Sequence, residues 1–126
     1  FRYPVESSDI VLSKMNTTQV GRQAEQAAVQ WLLQNGYQII DQNWQTRWCE
    51  IDIISKKANV IFFVEVRYRR NNAWGDGIDS ITPRKLQQMQ FAAELWLTQA
   101  KWSHDACLCA MAVAGQPPVV SAFIEL

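Results

Sequence analysis

The chain has 126 residues, 48% hydrophobic and 19% charged, which is the size and composition of one globular domain with its own core. Twelve basic and twelve acidic residues cancel, which excludes binding to nucleic acid or membranes through a strong overall positive charge. No apolar run approaches the roughly 18 residues of a membrane span. Three cysteines without zinc-site spacing favour a reducing compartment, so we expect a cytoplasmic protein with no membrane partner.

The first 16 residues show no clear periodicity. Met15 comes just before the first predicted helix, so we expect the natural start to lie near it. Residues 1–16 would then be an extension outside the core, and residues 17–126 a single domain.

The first half of this domain predicts a helix followed by three strands. Apolar residues recur at helical spacing, Thr17 or Thr18 can cap the start, and Asn35-Gly36 can end the helix. The nearly continuous apolar start of the third strand is typical of a sheet centre buried on both faces. The predicted helix and strands cover residues 18–35, 37–44, 50–55 and 60–68.

The second half predicts one helix followed by two strands. Thr82 fits the N-cap of the helix and Pro83 its first turn, after a loop over residues 71–80. Cys107 and Cys109 fit the next strand as buried apolar residues on opposite faces. These elements cover residues 82–100, 105–114 and 119–124, and the whole order predicts an α/β fold.

Two adjacent strands each carry an acid in an apolar run. Because side chains alternate along a strand, Glu50 and Asp52 share one face of their strand, and Glu65 and Arg67 share one face of the next. A turn of about four residues makes the two strands antiparallel neighbours. Asp52 and Glu65 are therefore expected to meet near the middle of the sheet.

Two neighbouring carboxylates need a shared proton or a cation between them. Oxygen ligands suit Mg²⁺ or Mn²⁺, which can activate a water for attack on a phosphodiester, and Arg67 can hold the phosphate. Glu25 lies at the edge of the apolar stripe of the first helix and can point toward the same site. The alternatives are a structural ion-pair network with Arg67 or Arg69, and an ordinary boundary position for Glu25.

A second group of residues can contact a nucleic acid around this site. The tryptophans Trp44, Trp48 and Trp74 could stack on exposed bases, although packing in the core or at its rim is the alternative. A solvated charged face is the alternative for the basic residues. The predicted phosphate-binding residues are Arg69, Arg70, Arg84 and Lys85.

Several of these motifs resemble those of the YraN family, endonuclease-like bacterial proteins in the PD-(D/E)XK nuclease superfamily, related to archaeal Holliday-junction resolvases. The resemblance runs from Gly21 to about Leu126. Its central pieces are Gly21-Arg22-Gln23-Ala24-Glu25, Glu50-Ile51-Asp52-Ile53-Ile54, Phe63-Val64-Glu65-Val66-Arg67 and Ile81-Thr82 with Lys85.

The resemblance implies a restriction-endonuclease-like αβββαβ core, with a mixed central sheet and flanking helices. It implies that Glu25, Asp52 and Glu65 are the acidic site residues, that the backbone carbonyl of Val66 is a metal ligand, and that Arg67 stands at the lysine position. Arginine stays protonated and cannot act as a general base. Cys49 also departs from the family, which usually has glycine there.

Together these observations predict a Mg²⁺- or Mn²⁺-dependent endonuclease that acts on nucleic acid, with branched or irregular DNA as the substrate the resemblance implies. The competing hypothesis is a non-catalytic module that binds nucleic acid or protein, in which Arg67 pairs with Asp52 or Glu65. The sequence leaves a homodimer open.

Overall fold

A computed structural model describes residues 17–70 and 81–126, and these confirm the predicted order of elements and the α/β class. The N-terminal extension, the loop over residues 71–80 with Trp74, and the capping side chains of Thr17 and Thr18 lie outside the described residues. The helices and strands are α1 (Thr17–Gln34), β1 (Gln38–Gln45), β2 (Glu50–Lys57), β3 (Val60–Arg69), α2 (Pro83–Ala100), β4 (Asp105–Ala114) and β5 (Val119–Glu125).

The five strands form one mixed sheet in the order β1-β2-β3-β4-β5. β3 and β4 run parallel, and the other neighbouring pairs run antiparallel. A parallel pair needs a long crossover, and α2 lies in that connection. In this order β3 is the central strand, as its apolar sequence predicts.

The central strands of the sheet are buried on both faces, and one helix packs on each face. On one face, Ala24, Ala28 and Leu32 of α1 pack in a cluster with Ile53 and Val64. On the other face, α2 packs its small side chains against a second cluster of strand residues. That cluster contains Ile51, Ile54, Ile61, Phe63, Ala92 and Ala93. Neither helix is long and apolar enough to cross a membrane.

The prediction that Cys107 and Cys109 lie on opposite faces of β4 is wrong. Residues two apart on a strand share a face, and the two Sγ atoms lie 3.8 Å apart. Both thiols are free, and burial raises their pKa, which disfavours the thiolate form.

The start of α2 is fixed by its predicted cap. The Thr82 hydroxyl oxygen accepts a hydrogen bond from the backbone N–H of Lys85 at 3.1 Å, and Pro83 occupies the first turn. The backbone carbonyl of Thr82 accepts from Leu86 N–H at 2.9 Å. The cap therefore also fixes the backbone position from which the Lys85 side chain extends.

We expect Thr82→Ala to lower the free energy of unfolding by about 1 kcal/mol, because the Lys85 N–H loses its partner. Urea unfolding followed by circular dichroism measures this. Thr82→Ser keeps the hydroxyl and should stay within a few tenths of wild type. An equal loss in both variants would show that the hydroxyl is not the stabilising group.

Candidate active site

The candidate site lies where β2 and β3 separate. Their ladder runs from the Lys57↔Val60 pair to the Ile53↔Val64 pair and stops there, although both strands continue. Beyond that point a carboxylate oxygen of Asp52 accepts the Val66 backbone N–H at 2.8 Å. A side chain thus provides the acceptor that a strand backbone would otherwise provide, and the two strands form a fork.

A cavity of about 290 Å³ opens at this fork, and we call it the acidic cavity. Four carboxylates, from Glu25, Glu50, Asp52 and Glu65, line it. They come from three segments that are distant in the sequence. Asp52 and Glu65 both line the cavity, just beyond the end of the paired segment of β2 and β3. The complete lining is Gly21, Ala24, Glu25, Glu50, Asp52, Glu65, Val66, Tyr68 and Lys85.

Glu25 reaches the acidic cavity from α1, and an asparagine on the edge strand orients it. The Asn43 side-chain amide donates to Glu25 Oε1 at 2.9 Å. Asn43 has φ of 52°, a left-handed conformation that asparagine tolerates better than most residues. Burial raises the pKa of Glu25, the hydrogen bond from Asn43 lowers it, and the charges of Glu50 and Glu65 raise it further.

Two cations flank the buried carboxylate of Glu65, which is 8% exposed. Arg67 Nε lies 3.4 Å from one carboxylate oxygen, and Lys85 Nζ lies 3.5 Å from the other. Both distances exceed the roughly 2.7–2.9 Å of a charge-assisted hydrogen bond. Arg67 Nε is also buried without a hydrogen-bond partner among the described residues. Glu65 is therefore held by two loose ion pairs.

The carboxylate oxygens that line the acidic cavity are donors that a hard divalent cation prefers. The carboxylates do not lie close enough together to form a metal-binding group. Within residues 17–70 and 81–126, no three His, Cys, Asp or Glu are grouped so that they could hold a metal. Ligation would need the carboxylates to converge further, with Glu65 exchanging its contacts to Arg67 and Lys85 for the metal.

Among the carboxylates of the acidic cavity, Asp52 has the most strongly raised pKa. Its pKa is raised to about 7, mainly by burial and then by the neighbouring charge of Glu65. The hydrogen bond from Val66 N–H lowers the pKa, and Glu25 and Glu50 raise it further. Without a bound cation, Asp52 is thus partly protonated near neutral pH.

Three of the predicted phosphate-binding residues lie outside the acidic cavity. Arg69 and Arg70 are exposed at the end of β3, and Arg84 is exposed in the first turn of α2. Lys85, the fourth, lines the cavity beside Glu65. Arg67 contacts Glu65 without lining the cavity in the part of the chain that the structure describes.

Comparison with known proteins places this site in a family. The model of the uncharacterised protein family UPF0102 matches residues 24–114, a span that contains Glu25, Asp52, Glu65, Arg67 and Lys85. The chain belongs to this family. The family description does not mention nucleases.

Individual relatives cover most of the chain. A UPF0102 protein of Pseudomonas savastanoi pv. phaseolicola (strain 1448A / Race 6) is 38% identical over 108 residues, 84% of this chain and 88% of the relative. A UPF0102 protein of Ectopseudomonas mendocina (strain ymp) is 42% identical over 89 residues, 70% of this chain and 75% of the relative. The family membership therefore rests on nearly the whole described fold.

Two contacts of the site were not predicted from the sequence. Asn43 was not expected to orient Glu25, although asparagine is enriched among residues with positive φ. Lys85 was expected to bind phosphate at the surface, and its contact with Glu65 was missed. Its position in the first turn after a Thr-Pro cap could have indicated that it faces the sheet.

We expect the stability of the metal-free protein to fall as pH rises from about 4 to about 7. Asp52 ionises near its usual pKa in the unfolded chain but only near 7 in the fold, so the folded state holds the extra proton across that window. Thermal unfolding in chelator between pH 4 and 8 measures this.

Asp52→Asn should reduce the loss of stability with rising pH, because asparagine still accepts a hydrogen bond from Val66 N–H and carries no charge. Its melting temperature at pH 8 should exceed that of wild type by at least about 4 °C, the shift given by roughly 1 kcal/mol in a chain of this size. A variant with the full wild-type decline would show that Asp52 is not its source.

Proposed function

We propose that this protein is a nuclease that uses Mg²⁺ or Mn²⁺ to hydrolyse phosphodiesters of nucleic acid, with DNA as the expected substrate. The observation that carries the proposal is the convergence of Glu25, Asp52 and Glu65 in one cavity, beside two cations. The acids come from a helix and two strands of an αβββαβ arrangement. The resemblance to the YraN family and the PD-(D/E)XK nucleases supports the same assignment.

Four groups would hold the metal: the carboxylates of Asp52, Glu65 and Glu25, and the backbone carbonyl of Val66. Once bound, Mg²⁺ or Mn²⁺ lowers the pKa of a water and stabilises the leaving oxygen. The hydrogen bond from Val66 N–H to Asp52 fixes the peptide group next to these ligands. A carboxylate that is already oriented loses little freedom on ligation.

Arg67 and Lys85 would neutralise the phosphate. Both side chains are partly exposed, at 29% and 28%, and both contacts to Glu65 are long. They can therefore donate to phosphate oxygens when Glu65 turns to the metal. Arg67 keeps its proton, so its role is to bind the phosphate and stabilise developing negative charge rather than to act as a base.

A second function is favoured by one observation. Glu65 lies between Arg67 and Lys85, which is the charge-neutralised arrangement expected of a module that binds nucleic acid or protein without cleaving it. In such a module the acids need no metal. The length of both ion pairs argues against this alternative, because a site built around them would form short, well-oriented bonds.

We expect Mn²⁺ to bind wild type saturably by calorimetry and to raise its melting temperature. Asp52→Asn should lose this binding, whereas Asp41→Asn, the same change at an exposed residue of β1, should keep it. A melting temperature that Mn²⁺ leaves unchanged in wild type would favour the non-catalytic module.

We further expect wild type to cleave branched or single-stranded DNA in Mg²⁺ or Mn²⁺, and Asp52→Asn to lose at least about 100-fold. That is the upper end of the 10–100-fold loss seen when a group that only orients metal ligands is removed. Gel assays with all three proteins purified in parallel measure this. Equal cleavage by Asp52→Asn would identify a contaminating nuclease or a wrong site.

A further inference from the structure

Trp48 is the most exposed of the large apolar side chains in the described residues, at 71%. It lies in the turn between β1 and β2, directly before the strand that carries Glu50 and Asp52. An exposed indole offers a flat apolar ring with a polar N–H, a combination that is enriched at binding interfaces. Trp44, in contrast, packs against the cluster under α2. The structure thus separates the two described tryptophans that flank the site.

The turn that carries Trp48 is fixed by hydrogen bonds. Thr46 N–H donates to the Cys49 carbonyl at 2.8 Å, and Trp48 N–H donates to the Thr46 hydroxyl at 3.1 Å. The Thr46 hydroxyl also contacts Cys49 Sγ at 3.3 Å. The turn therefore presents the ring in advance of any ligand, which lowers the entropic cost of binding.

A cation lies against the ring. The Arg47 guanidinium carbon is 5.3 Å from the centroid of the Trp48 ring, a cation–π pair. An aromatic ring beside a guanidinium offers two flat surfaces and one positive charge. Nucleic-acid strands with unpaired bases are bound by this combination, because bases stack on the flat groups while the cation attracts phosphate.

The turn is continuous with the acidic cavity. A second cavity of about 320 Å³ is lined by the turn residues together with Glu50, Lys85 and Gln88. Glu50 and Lys85 also line the acidic cavity. A nucleic-acid strand that passes over Lys85 would thus have the acidic cavity on one side and Trp48 on the other.

We propose that Trp48 stacks on an unpaired base of the strand that enters the acidic cavity, with Lys85 contacting a neighbouring phosphate. This deepens the proposed function, on which it rests, by naming the substrate class: nucleic acid with an unpaired nucleotide next to the scissile phosphate. A regular duplex keeps its bases stacked inside and offers Trp48 no base face.

The test is fluorescence anisotropy with labelled oligonucleotides in chelator, so that no cleavage occurs. The probes are a strand of about 12 thymidines, the matching uridine strand, an abasic strand with the same number of phosphates, and a blunt duplex. Trp48→Ala should weaken binding of the thymidine strand about 5-fold or more, and leave the abasic strand and the duplex unchanged. The uridine strand reports whether RNA is bound in the same way.

Three variants serve as controls. Trp48→Phe keeps an aromatic ring and should retain most of the affinity. Val119→Ala removes another exposed apolar side chain, 63% exposed on the edge strand at the other side of the sheet, and should change nothing. Lys85→Ala should weaken the thymidine and abasic strands alike, because it removes a phosphate contact rather than a base contact.

The proposal is overturned if Trp48→Ala binds the thymidine strand like wild type, if it loses affinity for the abasic strand and the duplex equally, or if no oligonucleotide binds wild type. Because the assay contains no divalent metal, its result is independent of cleavage. Trp48-dependent binding without any cleavage would contradict the proposed nuclease activity but not the proposed stacking by Trp48. Cleavage that depends on Asp52, together with strand binding that Trp48→Ala leaves unchanged, would contradict only the proposed stacking by Trp48.

Discussion

The site depends on one hydrogen bond, from the Val66 backbone N–H to the Asp52 carboxylate. Asp52 lies one residue and Val66 two residues beyond the last ladder pair of β2 and β3, where backbone pairing has ended. An apolar residue at position 52 would leave a half-buried N–H without a partner, which is costly. The sheet can therefore open into a fork, and hold an acid inside it, because the acid itself replaces the missing backbone acceptor.

The same arrangement creates a charge problem that the fold only partly solves. Glu25, Glu50 and Glu65 all act on Asp52, whose pKa rises to about 7. Arg67 and Lys85 both approach Glu65 rather than Asp52. The folded chain thus accepts a destabilising cluster that a better-placed cation would relieve. Such conflicts between stability and local chemistry are concentrated at functional sites.

The sequence predicts the elements well because each rests on a local signal: Thr82-Pro83 begins α2, and the apolar run of β3 indicates a central strand. Period-two alternation also places Asp52 and Glu65 on neighbouring strands, but it fails along β2 next to Asp52, where Ile51 and Ile54 pack in the same cluster and Ile53 packs in the other. Other features depend on three-dimensional packing that no local pattern contains. The fork depends on where the β2–β3 ladder ends, and the contact between Lys85 and Glu65 depends on how α2 crosses the sheet.

The chain carries no net charge, so a polyanion cannot be attracted by the molecule as a whole and must be guided by local charges. A cavity lined by four carboxylates repels phosphate on its own. The cations at its edges have the opposite effect: Lys85 borders both cavities, and Arg47 lies at the far side of the second one. Charge is thus graded from the exposed turn to the fork. A nucleic-acid strand would meet cations and an aromatic ring first and reach the acids last.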